Sequence, residues 1–199
     1  MQKICSLILL IIGIAMCSGC AVTLPTDAYT PQNYVRTSGK VDIGNFTYVP
    51  FLNGKKVKKP NQIENTAAGS LYISTEVANF VKRVTALELE KSGVVLDTNA
   101  PLRLDANVLE FKADDLGYSV DWSYKVQYKL IDKATDTVVY DKSFAPPIRK
   151  GGKFGEAEAF TTVASETVLS GYDLFIRDLD VQRLLKEAAL PPTAKNIKK

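Results

Sequence analysis

Few side chains in this chain could do chemistry, and their spacing does not point to catalysis. Three cysteines stand at positions 5, 17 and 20, and there is no histidine. Without imidazole, Ser-His-Asp and Cys-His nucleophile systems and histidine metal ligation are excluded. Carboxylates gather at Asp105, Glu110, Asp114, Asp115 and Asp121. A glycosidase-type pair needs two carboxyls facing each other across a cleft. Asp114-Asp115 instead falls in an apparent turn, where Asp bonds local backbone. Asp105 and Asp121 fall on the polar sides of strands, so solvated surface carboxylates are expected. The serines have no histidine partner, and no Ser-x-x-Lys or Gly-x-Ser-x-Gly motif supplies another base. Gly151-Gly152-Lys153 lacks the spacing of a phosphate loop. Two basic runs remain. Lys55, Lys56, Lys58 and Lys59 form one; Arg149, Lys150 and Lys153 form the other. These are the candidate contacts for an anionic ligand or partner, since basic clusters near a membrane attract anionic headgroups at about 1 kcal/mol per charge. No metal and no cofactor is expected.

The cysteines belong to an address. Lys3 gives a positive start, and Ile4 to Met16 is an almost unbroken apolar run. Such a run is shorter than the roughly 20 residues a spanning helix needs. A charged start, a short apolar core and small residues at the end describe a secretory signal peptide over residues 1–19. The end reads Cys17-Ser18-Gly19-Cys20-Ala21, which resembles the bacterial lipobox, with Cys17 where a Leu-like residue is common. That resemblance implies cleavage before Cys20 and lipidation of its thiol. Ala21 and Val22, rather than Asp, resemble the sorting signal for the outer membrane, its inner leaflet facing the periplasm. Two acyl chains hold a protein on a bilayer stably, whereas one does so marginally. Since no cysteine follows Cys20, the exported fold has no internal disulfide. An exported, tethered protein is not expected to meet nucleic acid.

Charge is nearly balanced, 25 Lys+Arg against 22 Asp+Glu, and 46% of residues are apolar. That excludes a wholly disordered, collagen-like or polytopic membrane chain. Residues 20–40, with Pro25, Pro31 and no hydrophobic period, read as a lipidated N-terminus and flexible tether. A strand is expected over 41–49, with Gly44-Asn45 as a bulge. A lysine-rich loop or hairpin turning at Asn53-Gly54 follows, then a short strand over 71–73. Ser74 or Thr75 caps a helix whose apolar period runs from Val77 to Leu89 and which Gly93 ends. Short strand 94–96 precedes a three-stranded meander over 102–144. Its centre, Val120 to Leu130, alternates apolar and polar without a break, as a half-buried antiparallel strand does. A basic loop over 146–154, a second long helix over 156–177 and a short helix capped by Asp180 complete a single domain over 41–190. Residues 191–199 are a basic tail. The fold class is α+β: a two-layer sandwich of a mainly antiparallel sheet packed by two long amphipathic helices.

The order of these parts, with "LELEKSGVVL", "LRLDANVLEFKADD", "YSVDWSYKVQYKLID" and "VVYDKSF", resembles the YajG-like envelope lipoproteins over roughly residues 75–190. It is more loosely similar to LptE- and PqiC-type accessory lipoproteins. The resemblance implies no enzyme. It implies a membrane-anchored, non-catalytic binding or accessory subunit of an envelope assembly or transport complex, with an envelope protein as partner. The alternatives are a small carboxylate-dependent envelope hydrolase or a regulator of a cell-wall enzyme.

Overall fold

The computed structural model describes residues 21–32, 35–66, 69–152 and 157–190. Its spine is a hairpin of two long strands, β6 (Leu102–Asp114) and β7 (Ser119–Asp132). Strict alternation over β7 puts Val120, Trp122, Tyr124, Val126, Tyr128 and Leu130 into the core. The residues between them face water. At about 3.4 Å per residue such a hairpin is about 40 Å long, and every other strand is arranged along it. On the outer side of β6, β2 (Gly39–Tyr48) pairs near its start and β3 (Gln62–Asn65) near its end, both parallel to it. On the outer side of β7, β8 (Thr137–Phe144) and β9 (Arg149–Gly152) pair antiparallel at opposite ends. β1 (Ala21–Leu24) joins β4 (Ser70–Ile73) in parallel, β4 joins β3 antiparallel, and β5 (Val94–Leu96) joins β2 in parallel.

The sheet is therefore open and mixed. The expected mainly antiparallel sheet fails because β1, β2, β3 and β5 all enter through parallel ladders, and parallel pairing between distant segments leaves no turn signal to read. Gly44-Asn45 falls where the β2 register shifts, between Ile43 and Phe46. Asn53-Gly54 does not make a hairpin. It ends a five-residue helix, α1 (Val49–Asn53), with Gly54 left-handed at φ 60°. The basic loop at 149–152 is a strand.

Four helices stand among the described residues. α2 (Val77–Ser92) buries Val77, Phe80, Val81, Val84, Thr85, Glu88, Leu89 and Ser92. Gly93, at φ 97°, ends it as expected. Its N-cap is Glu76 rather than the expected Ser74 or Thr75, and no side chain caps it; the Ser74 hydroxyl is turned toward Thr26. α3 (Ala157–Ile176) buries Ala164, Thr167, Val168, Tyr172, Phe175 and Ile176. Its Gly171 lies where an added Cβ would stand 2.6 Å from the Tyr124 ring, so a residue poor in helix propensity gives close helix–strand contact. Aromatic contacts tie the core together: Phe111–Tyr124 at 5.7 Å across the β6–β7 ladder, and Tyr128–Phe175 at 4.4 Å between sheet and helix, centroid to centroid. Each is worth about 0.5–1.5 kcal/mol beyond its buried area.

Tyr124 is 2% exposed, and its hydroxyl has no hydrogen-bond partner among the described residues. Burial raises its pKa well above the ordinary phenol value. A buried unpaired hydroxyl is unfavourable by about 1–3 kcal/mol. Tyr124→Phe is therefore expected to melt at or above the wild-type temperature. A clear drop in calorimetry would show that the hydroxyl is held.

α4 (Leu179–Ala189) is capped by Asp178 rather than Asp180: the Asp178 carboxylate accepts the Asp180 N–H at 3.0 Å. It also accepts Lys142 Nζ at 2.8 Å. Burial alone would raise its pKa, but Lys142, the Asp180 N–H and Tyr140 outweigh burial and hold it below the usual carboxylate value. A carboxyl depressed on folding stabilises above its unfolded pKa, and that stability disappears as pH falls through the folded value. Asp178→Ala should cost about 1 kcal/mol at pH 7. The difference from wild type should shrink in acid, below about pH 4. A pH-independent difference in urea midpoints would assign the effect to something other than the charge.

Candidate functional site

The structure separates the two basic runs. Lys55–Lys59 lies outside β3 on the β6 flank, and Arg149 and Lys150 lie in β9 on the β7 flank. The spine stands between β3 and β9, three strand spacings or about 14 Å. Alternation then splits the second run. Arg149 stands opposite Trp122 and turns to the helix side, where its guanidinium donates to Glu166 at 2.8 Å and Ser170 at 3.0 Å on α3. Lys150 stands opposite Asp121 and turns to the open face, 3.8 Å from that carboxylate. Lys153 lies outside the described residues.

The first run is tied down one residue at a time. Val57 at its centre is fully buried. Lys56 Nζ donates to Glu64 at 2.7 Å, and that carboxylate raises the pKa of the ammonium. Lys58 Nζ donates to the Gly54 carbonyl, and Lys59 sits 5.1 Å over the Tyr72 ring. Lys55 alone of the four has no such contact among the described residues. These residues do not form one anion site: most of the cations are already engaged.

The open face of the sheet repeats that pattern. Arg103 contacts Asp105 at 3.1 Å, Lys112 contacts Asp114 at 3.1 Å, Lys133 contacts Asp42 at 2.8 Å and Lys129 contacts Asp141 at 3.8 Å. Glu110 accepts the Ser123 hydroxyl. Lys112, with Thr66 and the Leu116 N–H, holds the Asp114 carboxyl below its ordinary pKa. The acidic candidates are therefore spread along the strands beside separate partners, not paired across a cleft. Exposed pairs of this kind add little stability. They do give the face alternating sign and no dominant charge. Among the described residues, no group of three or more His, Cys, Asp or Glu side chains could hold a metal ion.

The built feature that sequence reasoning missed is the N-terminal segment. Cys20 lies outside the described residues, but Ala21 already begins β1, Leu24 is fully buried and Thr26 is 2% exposed. The expected free tether is thus a docked strap over residues 21–32. It runs the length of α2. Ser74 holds Thr26 at 3.0 Å, and Arg83 donates to the Thr26 carbonyl. Tyr29 donates its hydroxyl to Glu88, and the Gln32 N–H reaches the same oxygen at 2.8 Å. Further along the chain, Arg36 donates to the Lys91 carbonyl at 2.9 Å and the Thr37 N–H to that of Ser92 at 2.9 Å.

Burial, then the Glu88 carboxyl beside it, raises the Tyr29 phenol far above its ordinary range. Glu88 is fully buried. On α3 nearby, burial likewise raises the pKa of Asp173, against the pull of Arg177 and with Glu88 adding to the rise. A signal existed in the sequence. Val81, Thr85, Glu88 and Ser92 share one helical stripe, and polar residues on a buried stripe need partners. Thr85 finds Tyr128 at 3.2 Å and Ser92 finds Tyr172 at 3.0 Å. Between strap and α3 a shallow groove of about 420 Å³ remains, lined by neutral residues such as Thr26, Gln32, Thr161 and Ser165, with Glu158 at its edge.

A scan against protein-family models returns no match, and neither does a search of curated proteins. Solved structures do match. A Xanthomonas campestris protein of family DUF330 aligns at 14% identity over 82% of this chain and 99% of its own, with a TM-score of 0.57. That likeness shows a shared fold. A hypothetical protein from Chlamydia trachomatis aligns at 9% identity over 70% of this chain and 96% of its own, with a TM-score of 0.47. A lipoprotein from Neisseria meningitidis aligns at 9% identity over 67% of this chain and 95% of its own, with a TM-score of 0.27.

Proposed function

We propose that this protein is a lipid-anchored envelope lipoprotein that works as a non-catalytic binding or accessory subunit of an envelope assembly or transport complex. The observation that carries the reading is the place of Cys20. It ends a signal-peptide pattern, and the next residue enters the sheet. The anchor is therefore joined to the fold without slack, and a partner meets the domain in a restricted orientation at raised local concentration. The open face of paired charges is a surface suited to such a partner, since it discriminates by charge pattern without a large unpaired field. The YajG-like resemblance and the absence of Asp after Cys20 support placement on the outer membrane, facing the periplasm.

The test compares wild type with Cys20→Ala in intact envelopes. Wild type should take up an alkyne-palmitate label, sediment with membranes and crosslink to one discrete barrel or transporter subunit. Cys20→Ala should lose all three. Absence of label in wild type, or catalytic turnover by the purified protein, would overturn the reading.

A further inference from the structure

We infer that the turn joining β6 to β7 is a membrane-interface anchor, with Leu116 and Tyr118 entering the headgroup layer of the bilayer that holds the Cys20 lipid. This rests on the lipid anchor proposed above. The argument begins with register. Ala21 pairs with Ser70, and the β4–β3 ladder continues that level to Glu64, which pairs with Lys112 of β6. β1 runs parallel to β4, β4 antiparallel to β3, and β3 parallel to β6. Leaving Ala21 backwards, toward Cys20, is thus the direction in which β6 runs toward its turn. The anchor and the turn belong to one end of the sheet. Cys20 is one peptide bond from Ala21, a Cα step of about 3.8 Å. Leu116 is four residues beyond Lys112, about 13 Å along the strand axis. Along that axis the turn reaches about 10 Å past the anchor, comparable to the depth at which interfacial elements sit, roughly 5–10 Å.

The composition of the turn fits that depth. Leu116 is 77% exposed and Tyr118 104% exposed, at a place where a polar turn would normally stand. Tyr pairs an apolar body with a polar tip and is enriched at membrane–water interfaces. Of the three acidic residues around the turn, Asp114 is bridged to Lys112 and Asp121 faces Lys150, which leaves Asp115 as the carboxylate of the turn itself. The turn is also shaped in advance. The Asp115 N–H donates to Thr66 at 2.8 Å and the Leu116 N–H to Asp114 at 3.3 Å. An apolar pair presented on a fixed loop loses little entropy on insertion.

The experiment uses lipidated protein reconstituted into phosphatidylethanolamine/phosphatidylglycerol vesicles. The mature chain holds no cysteine after Cys20, so an environment-sensitive NBD fluorophore can be placed through Gly117→Cys, with Thr135→Cys at the opposite end of the spine as reference. The expected result is a blue shift at 117, quenched by shallow doxyl-labelled lipid, with 135 remaining water-exposed. Adding Leu116→Ser and Tyr118→Ser should abolish the shift while the lipid keeps the protein on the vesicle and circular dichroism stays native. Equal water exposure at 117 and 135 in vesicle-bound protein would overturn this inference and leave the anchor intact. Failure of wild type to carry acyl chains would remove the anchor reading and this one together.

Discussion

Gly39→Ala is expected to lower stability by about 3 kcal/mol, the upper part of the overpacking range, and the melting temperature by about 6–12 °C for a domain of this size. Gly39 opens β2 at the point where α4 crosses it. A Cβ there would stand 2.6 Å from the Leu185 carbonyl oxygen, 2.7 Å from its carbonyl carbon and 2.7 Å from its Cβ. Two of those atoms are backbone within a helix, so no rotamer change clears them. α4 must lift from the sheet, exposing the buried Val181 and Leu185. Truncating the neighbour as well, in Gly39→Ala/Leu185→Ala, should bring no rescue, because alanine keeps every colliding atom. A single variant that melts with the wild type would mean that α4 docks without this contact.

Glu88→Ala is expected to release the strap. The carboxyl accepts both the Tyr29 hydroxyl and the Gln32 N–H; the half-buried Tyr29 hydroxyl left without an acceptor costs about 1 kcal/mol, while the exposed Gln32 N–H can turn to water at little cost. The strap has few other apolar anchors between Leu24 and Val41, so the loss should appear first as local opening, not global unfolding. Trypsin cleavage after Arg36 should accelerate, and amides of residues 25–32 should exchange faster, with a smaller change in the melting temperature. Glu88→Gln retains one acceptor oxygen and should fall between. Unchanged proteolysis in Glu88→Ala would show that the strap is held by β1 and Thr26 alone. The functional consequence is direct. On the lipid anchor proposed above, a released strap would become a slack linker between lipid and domain, and the restricted orientation at the membrane would be lost.

The sequence alone placed the spine, α2 and α3 to within a few residues. β7 was legible because one face is wet and the other buried, so six alternations fix strand, face and partner side at once. α2 was legible by its 3.6-residue period and the left-handed Gly93. The lipobox reading at Cys17–Ala21 rests on local composition alone, and residues 17–20 lie outside the described residues.

What only the tertiary structure decided is where non-local groups meet. Ala21–Leu24 looks like linker because its ladder partner, Ser70–Ile73, is nearly fifty residues away. Ser74 and Thr75 look like helix caps, but the helix starts after Glu76, and the Ser74 hydroxyl meets Thr26 across a similar distance. Arg149 and Lys150 look like one basic patch in a linear reading. Strand pleating sends them to opposite faces, to Glu166 and Asp121. Local periodicity is written residue by residue. Charge neutralisation and strap docking depend on registers between distant strands, and those are set by the packing of the whole core.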